Sequence, residues 1–324
     1  MSTNRRPLLA LVALGSAVGC GAGSNPGGPN PPSVRMVIIE GSGQVGLGGQ
    51  PLPLEAIIRV EDQSGNPKSG VTVTWVVSRG NGTVSSSAAT GANGRARTVW
   101  TLGTDSVRHT LEARIDGASP AIFTANGVPP ATAIAYEAWT TANRTPTDIF
   151  LMDPEATVVV RVTDDPGDDG APAWSPDRTR IAFKSNRGAP AGSLEYDVYV
   201  VPITGGTARR LTNARERDID PEWSPDGTRI VFTSYRNRTL ALPQQADIYV
   251  MNADGSNQVR LTSDDREDGT PDWSPDGTRI VFATQRYGDR EIAVMNPDGT
   301  GLVRLTTNPA DDDEPTWSPD GTRI

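Results

Sequence analysis

One string organises the chain: Trp-Ser-Pro-Asp-Gly-Thr-Arg-Ile. It stands at residues 223–230, 273–280 and 317–324, and a near copy with Arg178 in place of the glycine stands at 174–181. Successive tryptophans are 49, 50 and 44 residues apart. A period of that size means that the chain repeats one supersecondary unit, which restricts it to stacked or ring-closed architectures. Each unit carries further matching runs. Residues 229–234 alternate polar and apolar side chains, as a half-buried strand does. Residues 246–252 make a second run, stopped by Asp254-Gly255, residues 258–262 a third, and residues 271–273 a short fourth. Within Ser-Pro-Asp-Gly, Pro presets φ, Asp bonds its own backbone and Gly accepts positive φ, so a tight hairpin is predicted there. Four short antiparallel strands in about 45 residues make the blade of a β-propeller.

The sequence Pro-x-Trp-Ser-Pro-Asp-Gly-Thr-Arg-Ile-Val-Phe, then Asp-Ile-Tyr-Val-Met-Asn-x-Asp-Gly, then Arg-Leu-Thr, resembles the TolB-type propeller repeat over about residues 131–324. Related blades occur in the propeller domains of prolyl-oligopeptidase-like enzymes. The first unit is incomplete: 133–139, 148–153 and 158–163 align with the later strands, but no Pro-x-Trp strand precedes them. About four blades are therefore expected. Two arrangements fit: a closed ring of four in which 315–317 completes the first unit, or an incomplete propeller. The resemblance implies six blades, and the fourth copy of the motif stops at Ile324, so the second is the expectation.

The formal charge of −9 is unevenly spread. Residues 1–130 hold ten Lys/Arg against seven Asp/Glu, and residues 131–324 hold twenty against thirty-two. An acidic propeller lacks the clustered cations that phosphate contacts need, which excludes nucleic acid as a partner. Residues 131–324 contain no His and no Cys, so a Ser-His-Asp or Cys-His arrangement and a His/Cys zinc site are excluded there. No Gly-x-Ser-x-Gly elbow occurs anywhere.

The start of the chain reads as a targeting segment. Arg5 and Arg6 precede an apolar run at 8–18, followed by Ala17-Val18-Gly19-Cys20. Small residues just before a cysteine resemble the bacterial lipobox, which implies that Cys20 carries a lipid and becomes the mature N-terminus; Ala17 stands where that pattern more often has Leu. The export route, general secretory or twin-arginine, is left open. Cys20 is the only cysteine, so no intrachain disulfide forms. Residues 21–33 are rich in Gly, Pro, Ser and Asn and form a flexible tether with a reach of about 20 Å.

Residues 34–127 hold short apolar or alternating runs at 34–39, 54–60, 71–77, 95–102, 109–115 and 121–124, separated by Gly, Asn and Ser turns. Six or seven strands in that length predict a sandwich. The stretches 61–75 and 91–96 resemble the bacterial Ig-like domains of invasin- and intimin-type surface proteins. Trp75 and Trp100 are expected in its core, and His109 at a surface or edge. Pro129-Pro130 marks the boundary, across which the two units are expected to fold separately.

The fold class is thus all-β: signal peptide 1–20, linker 21–33, Ig-like sandwich 34–127 and TolB-like propeller 131–324. Trp174, Trp223, Trp273 and Trp317 are expected to pack between blades. Five residues before each stands an aspartate: Asp169, Asp218, Asp268 and Asp312. Among further acids around them are Asp220, Asp313 and Glu314, while Arg215, Arg217 and Arg266 interrupt the run. The four equivalent aspartates are expected to ring one mouth of the propeller, fit for Ca²⁺ or a basic partner segment. No Asp-x-Asp-x-Asp-Gly calcium loop is present. The expected function is a lipid-anchored envelope protein, at the outer membrane facing the periplasm or at the cell surface. It would bind other envelope proteins and would not be an enzyme. The alternatives are the propeller of a truncated peptidase and a carbohydrate-binding surface protein.

Overall fold

The computed structural model describes residues 34–324 apart from 106, 141–145, 191–192, 194 and 243–244. Cys20, the signal segment and the linker lie outside the described residues. Every regular element among the described residues is a β-strand.

The first unit is a two-sheet sandwich. Val34–Glu40, Ala56–Asp62 and Arg95–Thr98 form one sheet in the order first, second, third. The other runs Gln44–Leu47, Ala121–Val128, Arg108–Arg114, Thr72–Arg79, Ser87–Ala89. Alternation along each strand sends every second side chain inward. Trp75 and Trp100 are buried between the sheets as expected, with the Trp75 and Phe123 rings 5.8 Å apart. His109 corrects the expectation of a surface or edge residue. It is buried, because the period of two in Arg108–Arg114 puts it on the same inward face as Leu111 and Ala113.

The second unit is built of blades. Blade one has three strands, Ile134–Trp139, Thr147–Met152 and Val159–Arg161. Blade two comprises Asp169–Trp174, Arg180–Ser185, Asp197–Pro202 and Arg209–Arg210. Blade three comprises Asp218–Trp223, Arg229–Ser234, Asp247–Asn252 and Val259–Arg260. Blade four comprises Asp268–Trp273, Ile280–Tyr287, Asp289–Met295 and Val303–Arg304. The strands of each blade pair antiparallel in sequence order.

The sheet period of two gives each blade two faces. Ile230, Phe232, Tyr249 and Met251 of blade three pack on Ala182, Val198 and Val200 of blade two. The opposite face of blade three, Val231, Ile248 and Val250, takes Ile280, Phe282 and Met295 of blade four. A face that carries a phenylalanine thus meets an aliphatic face of the preceding blade each time.

Two local devices recur. In the turn, the Asp226 carboxylate accepts hydrogen bonds from Ser224 Oγ at 2.6 Å, Thr228 N at 3.0 Å and Thr228 Oγ1 at 2.8 Å. Asp177, Asp276 and Asp320 repeat this. Gly227, Gly277 and Gly321 take positive φ there, and Arg178 holds the same left-handed conformation at φ 53°. The second device uses the Arg-x-Thr of the outer strand. Arg260 Nη2 donates to Asp247 at 2.7 Å and Nε to Thr262 O at 2.7 Å, while Thr262 Oγ1 accepts from Ile248 N at 3.0 Å. Arg161 with Asp148, Arg210 with Asp197 and Arg304 with Glu291 repeat it in the other blades.

The two units share a core across Pro129-Pro130. Leu47 and Val128 of the sandwich are buried in one apolar cluster with Ala133, Ile149, Leu151 and Val158 of blade one.

Candidate functional site

The innermost strands carry the residues that face the propeller axis. In each of blades two to four the pairing with the second strand slips by one residue. Ile219 pairs with Thr233, but the next pair is Glu222 with Val231, so Asp220 and Pro221 together oppose Phe232. The same slip lies between Gly170 and Ala173 and between Gly269 and Asp272. This is a β-bulge, and a proline fits it because no ladder N–H is needed at that point. The residue before the proline is left-handed in every copy: Ala171 at φ 48°, Asp220 at 51°, Thr270 at 49° and Glu314 at 52°.

The bulge decides where the predicted aspartates go. Counted back from buried Trp223 with a period of two, Asp218 would fall on the face opposite the tryptophan. The extra residue shifts the phase and turns Asp218 into the blade. Asp169, Asp218 and Asp268 are therefore fully buried and do not ring a mouth, which corrects the expectation. Each is held by its own blade. Ser234 Oγ donates to Asp218 at 2.5 Å and Arg236 Nη2 at 2.9 Å. Ser185 and Arg187 bind Asp169 at 2.6 Å each, and Arg286 binds Asp268 at 2.7 Å. Burial pushes the carboxyls of Asp169 and Asp218 above their ordinary range, and that of Asp268 to about 6, against the pull of these arginines. Asp312 is half-buried; it accepts from Asn308 Nδ2 at 2.6 Å, and its backbone N donates to Arg290 O at 2.8 Å. Among the described residues no group of three or more His, Cys, Asp or Glu side chains is placed to hold a metal ion.

Other carboxylates take the axial position. Asp220, Glu222, Asp272 and Glu314, with Ala171 and Thr270, line a cleft of about 400 Å³ between successive innermost strands. Burial, then Asp272 and Asp220, push the Glu222 carboxyl up to about 8. Burial also raises Asp220, with Asp313 and Glu314 adding to the shift and Lys184 opposing it. Asp272 accepts from Trp317 N at 2.9 Å and Thr316 Oγ1 at 3.0 Å, which ties the 312–317 segment to blade four. At the rim Tyr235 donates to Glu267 at 2.8 Å, and Arg290 lies 2.9 Å from Glu267 and also pairs with Asp313. Glu222 and Asp272 escape a reading of the acidic loops because they sit next to the tryptophans, inside the strand. The signal that marks them is a carboxylate between Pro and Trp, where the other copies have Ala173 and Thr316.

Of the tryptophans, Trp223 and Trp273 are buried between blades, each under an arginine of the preceding blade, Arg180 or Arg229, 4.7 Å from the ring centre. Trp174 and Trp317 are half-buried.

Comparison with known proteins agrees with this architecture. Residues 121–324, more than half of the chain, match the TolB beta propeller domain, and residues 53–127 match the bacterial Ig-like domain (group 1). No curated protein matches the chain. Among solved structures, putative TolB from Agrobacterium tumefaciens is 22% identical with a TM-score of 0.50, over 69% of this chain and 82% of that one. TolB from Acinetobacter baumannii is 19% identical with a TM-score of 0.49, over 90% and 72%. Oligogalacturonate lyase from Vibrio parahaemolyticus is 14% identical with a TM-score of 0.43, over 79% and 78%. At these identities the likeness is one of fold. With the repeated blade, its bulged innermost strand and the matched residues all in hand, the chain belongs to the TolB β-propeller family, and a bacterial Ig-like domain precedes its propeller.

Proposed function

We propose that this protein is an interaction module of the bacterial cell envelope, held there by a lipid on Cys20, whose propeller binds a basic segment of another envelope protein. The observation that carries the reading is the axial cleft. Asp220, Glu222 and Asp272 on bulged strands converge there with Glu314, and burial, reinforced by repulsion from Asp272 and Asp220, keeps Glu222 protonated at neutral pH. A cationic side chain entering the cleft would relieve that repulsion and draw the proton off. The residues of the propeller offer no nucleophile–base pair of the His or Cys type, which favours binding over catalysis.

Two measurements test the reading. Photo-crosslinking from the cleft in intact cells, with the wild type and the Asp220→Asn/Glu222→Gln variant, is expected to lose most of one captured envelope protein in the variant. Equal capture by both would refute the cleft as the contact. The Cys20→Ser variant is expected to move from the membrane fraction to the soluble one, and unchanged membrane association would refute the anchor.

A further inference from the structure

Among the described residues, blade one presents an open sheet edge and an uncovered face whose counterparts elsewhere in this molecule are both occupied. Among the described residues, Ile134–Trp139 pairs only with Thr147–Met152, whereas the equivalent strands of blades two to four each pair with an innermost strand as well. The register makes Ile134, Tyr136 and Phe150 the counterparts of Ile181, Phe183 and Tyr199. The Tyr136 and Phe150 rings stand 5.8 Å apart, as Phe232 and Tyr249 do in blade three. Yet Ile181, Ile230 and Ile280 have no exposed surface, while Ile134 is 41% exposed and Tyr136 and Phe150 are half-buried. Three blade-to-blade interfaces therefore define what fits here: the aliphatic face of another blade, and an innermost strand along the edge.

The edge also states a chemical condition. In blades two to four the innermost strand brings a buried aspartate, and the second strand answers with Ser185 and Arg187, Ser234 and Arg236, or Thr284 and Arg286. Ser185 lies opposite Asp197 just as Ala138 lies opposite Asp148, so the answering positions of blade one are Ala138 and Thr140. Blade one has kept the outer clamp, Asp148 with Arg161, and lacks the inner one. An aspartate delivered to this edge would be buried with no guanidinium to receive it, with alanine at the place of the serine, and with the Thr140 hydroxyl already donating to Pro146 O at 3.0 Å. Even with both partners, burial already raises Asp218.

We infer that the open edge of Ile134–Trp139 accepts the innermost strand of a further blade of this repeat, one that carries an uncharged side chain five residues before its tryptophan. The 312–317 segment, with Asp312 at that position, is not the strand that completes blade one. A closed ring of four blades is thereby disfavoured on chemical grounds, and so is closure by the 312–317 segment of a second copy.

The test uses the 324-residue chain and two synthetic peptides. One has the sequence of residues 310–321, and the other is the same peptide with Asp312→Leu. Binding is followed by titration and by hydrogen exchange of the amides of Ile134–Trp139. The Leu peptide is expected to bind at least tenfold tighter than the Asp peptide and to protect those amides. In the Ala138→Ser/Thr140→Arg chain, checked for an unchanged melting profile, the preference is expected to reverse. Equal binding of the two peptides, tighter binding of the Asp peptide by the wild type, or no binding of either would overturn the inference. So would protection of those amides before any peptide is added, whether from the chain's own 312–317 segment or from an edge-to-edge dimer.

Discussion

Glu222 is a side chain whose chemistry departs far from its ordinary state. Its folded pKa of about 8 lies above the ordinary 4.5 of a glutamate, because burial and the neighbouring Asp272 and Asp220 disfavour the charge. Below pH 4.5 the folded and unfolded forms are both protonated and nothing is lost. Between 4.5 and 8 the folded form keeps a proton that the unfolded form has released, so stability falls as pH rises, and above 8 the full penalty stands. Glu222→Gln removes the charge without changing the shape. It is expected to stabilise the protein at pH 9 by roughly 2–4 kcal/mol, discounted for partial exposure, and to have almost no effect at pH 4. Urea unfolding at the two pH values checks this; an equal effect at both would show that the carboxylate carries no electrostatic penalty. The turn aspartates work in the opposite sense. Hydrogen bonds from Ser224 and Thr228 hold Asp226 down at about 2. Its contribution is present above pH 4 and is lost as pH falls toward 2.

At the scale of the element, blades two to four each carry two buried ion pairs, one on the innermost strand and one on the third, and blade one carries the second alone. Asp247 is fully buried, and Arg260 satisfies it while also reaching Thr262 O. Arg260→Ala is expected to destabilise the propeller by about 3–5 kcal/mol, because it leaves a buried carboxylate without its cation. Arg260→Lys is expected to recover only part of that, since a single ammonium cannot span both acceptors as the planar guanidinium does. Chemical denaturation of both variants measures this, and full recovery by Lys would mean that charge alone matters. The sequence made the strands legible: the repeat, the alternation in 229–234 and the Ser-Pro-Asp-Gly turn are all local signals, and the turn forms with the bonds that those letters imply. It did not make the clamp legible, because Arg-Leu-Thr reads equally well as a plain edge strand. The bulge was hidden for a different reason. A one-residue slip leaves no mark in composition, yet it reverses the phase of every residue on one side of it. That is why Asp218 turned inward and the axial positions fell to Asp220 and Glu222.

At the scale of the molecule, the proline pair at 129–130 reads in sequence as a break, but the structure joins the two units there. The sandwich keeps a core of its own, from Leu52 through Trp100 to Ala125, that includes neither Leu47 nor Val128. Those two belong to the cluster that covers blade one. Arg178 adds a second tie. It occupies a turn position that its sister copies give to glycine, at a cost of roughly 1 kcal/mol for the left-handed backbone. In return its Nε donates to Pro130 O at 2.8 Å and its Nη2 to Ala133 O at 2.5 Å, with the guanidinium 4.2 Å from the centre of the Trp174 ring. This arrangement has a separable consequence. A fragment of residues 34–127 retains its core and is expected to melt cooperatively. Leu47→Ala is expected to change the stability of that fragment by no more than about 0.5 kcal/mol, because of the cluster that buries the side chain only the half-buried Val107 remains there. In the full chain the same substitution opens a cavity between the sandwich and blade one, and a loss of about 2–4 kcal/mol is expected. Calorimetry on the four proteins decides the matter: if Leu47→Ala costs the same in the fragment as in the full chain, Leu47 belongs to the sandwich alone and the two units are not coupled through it.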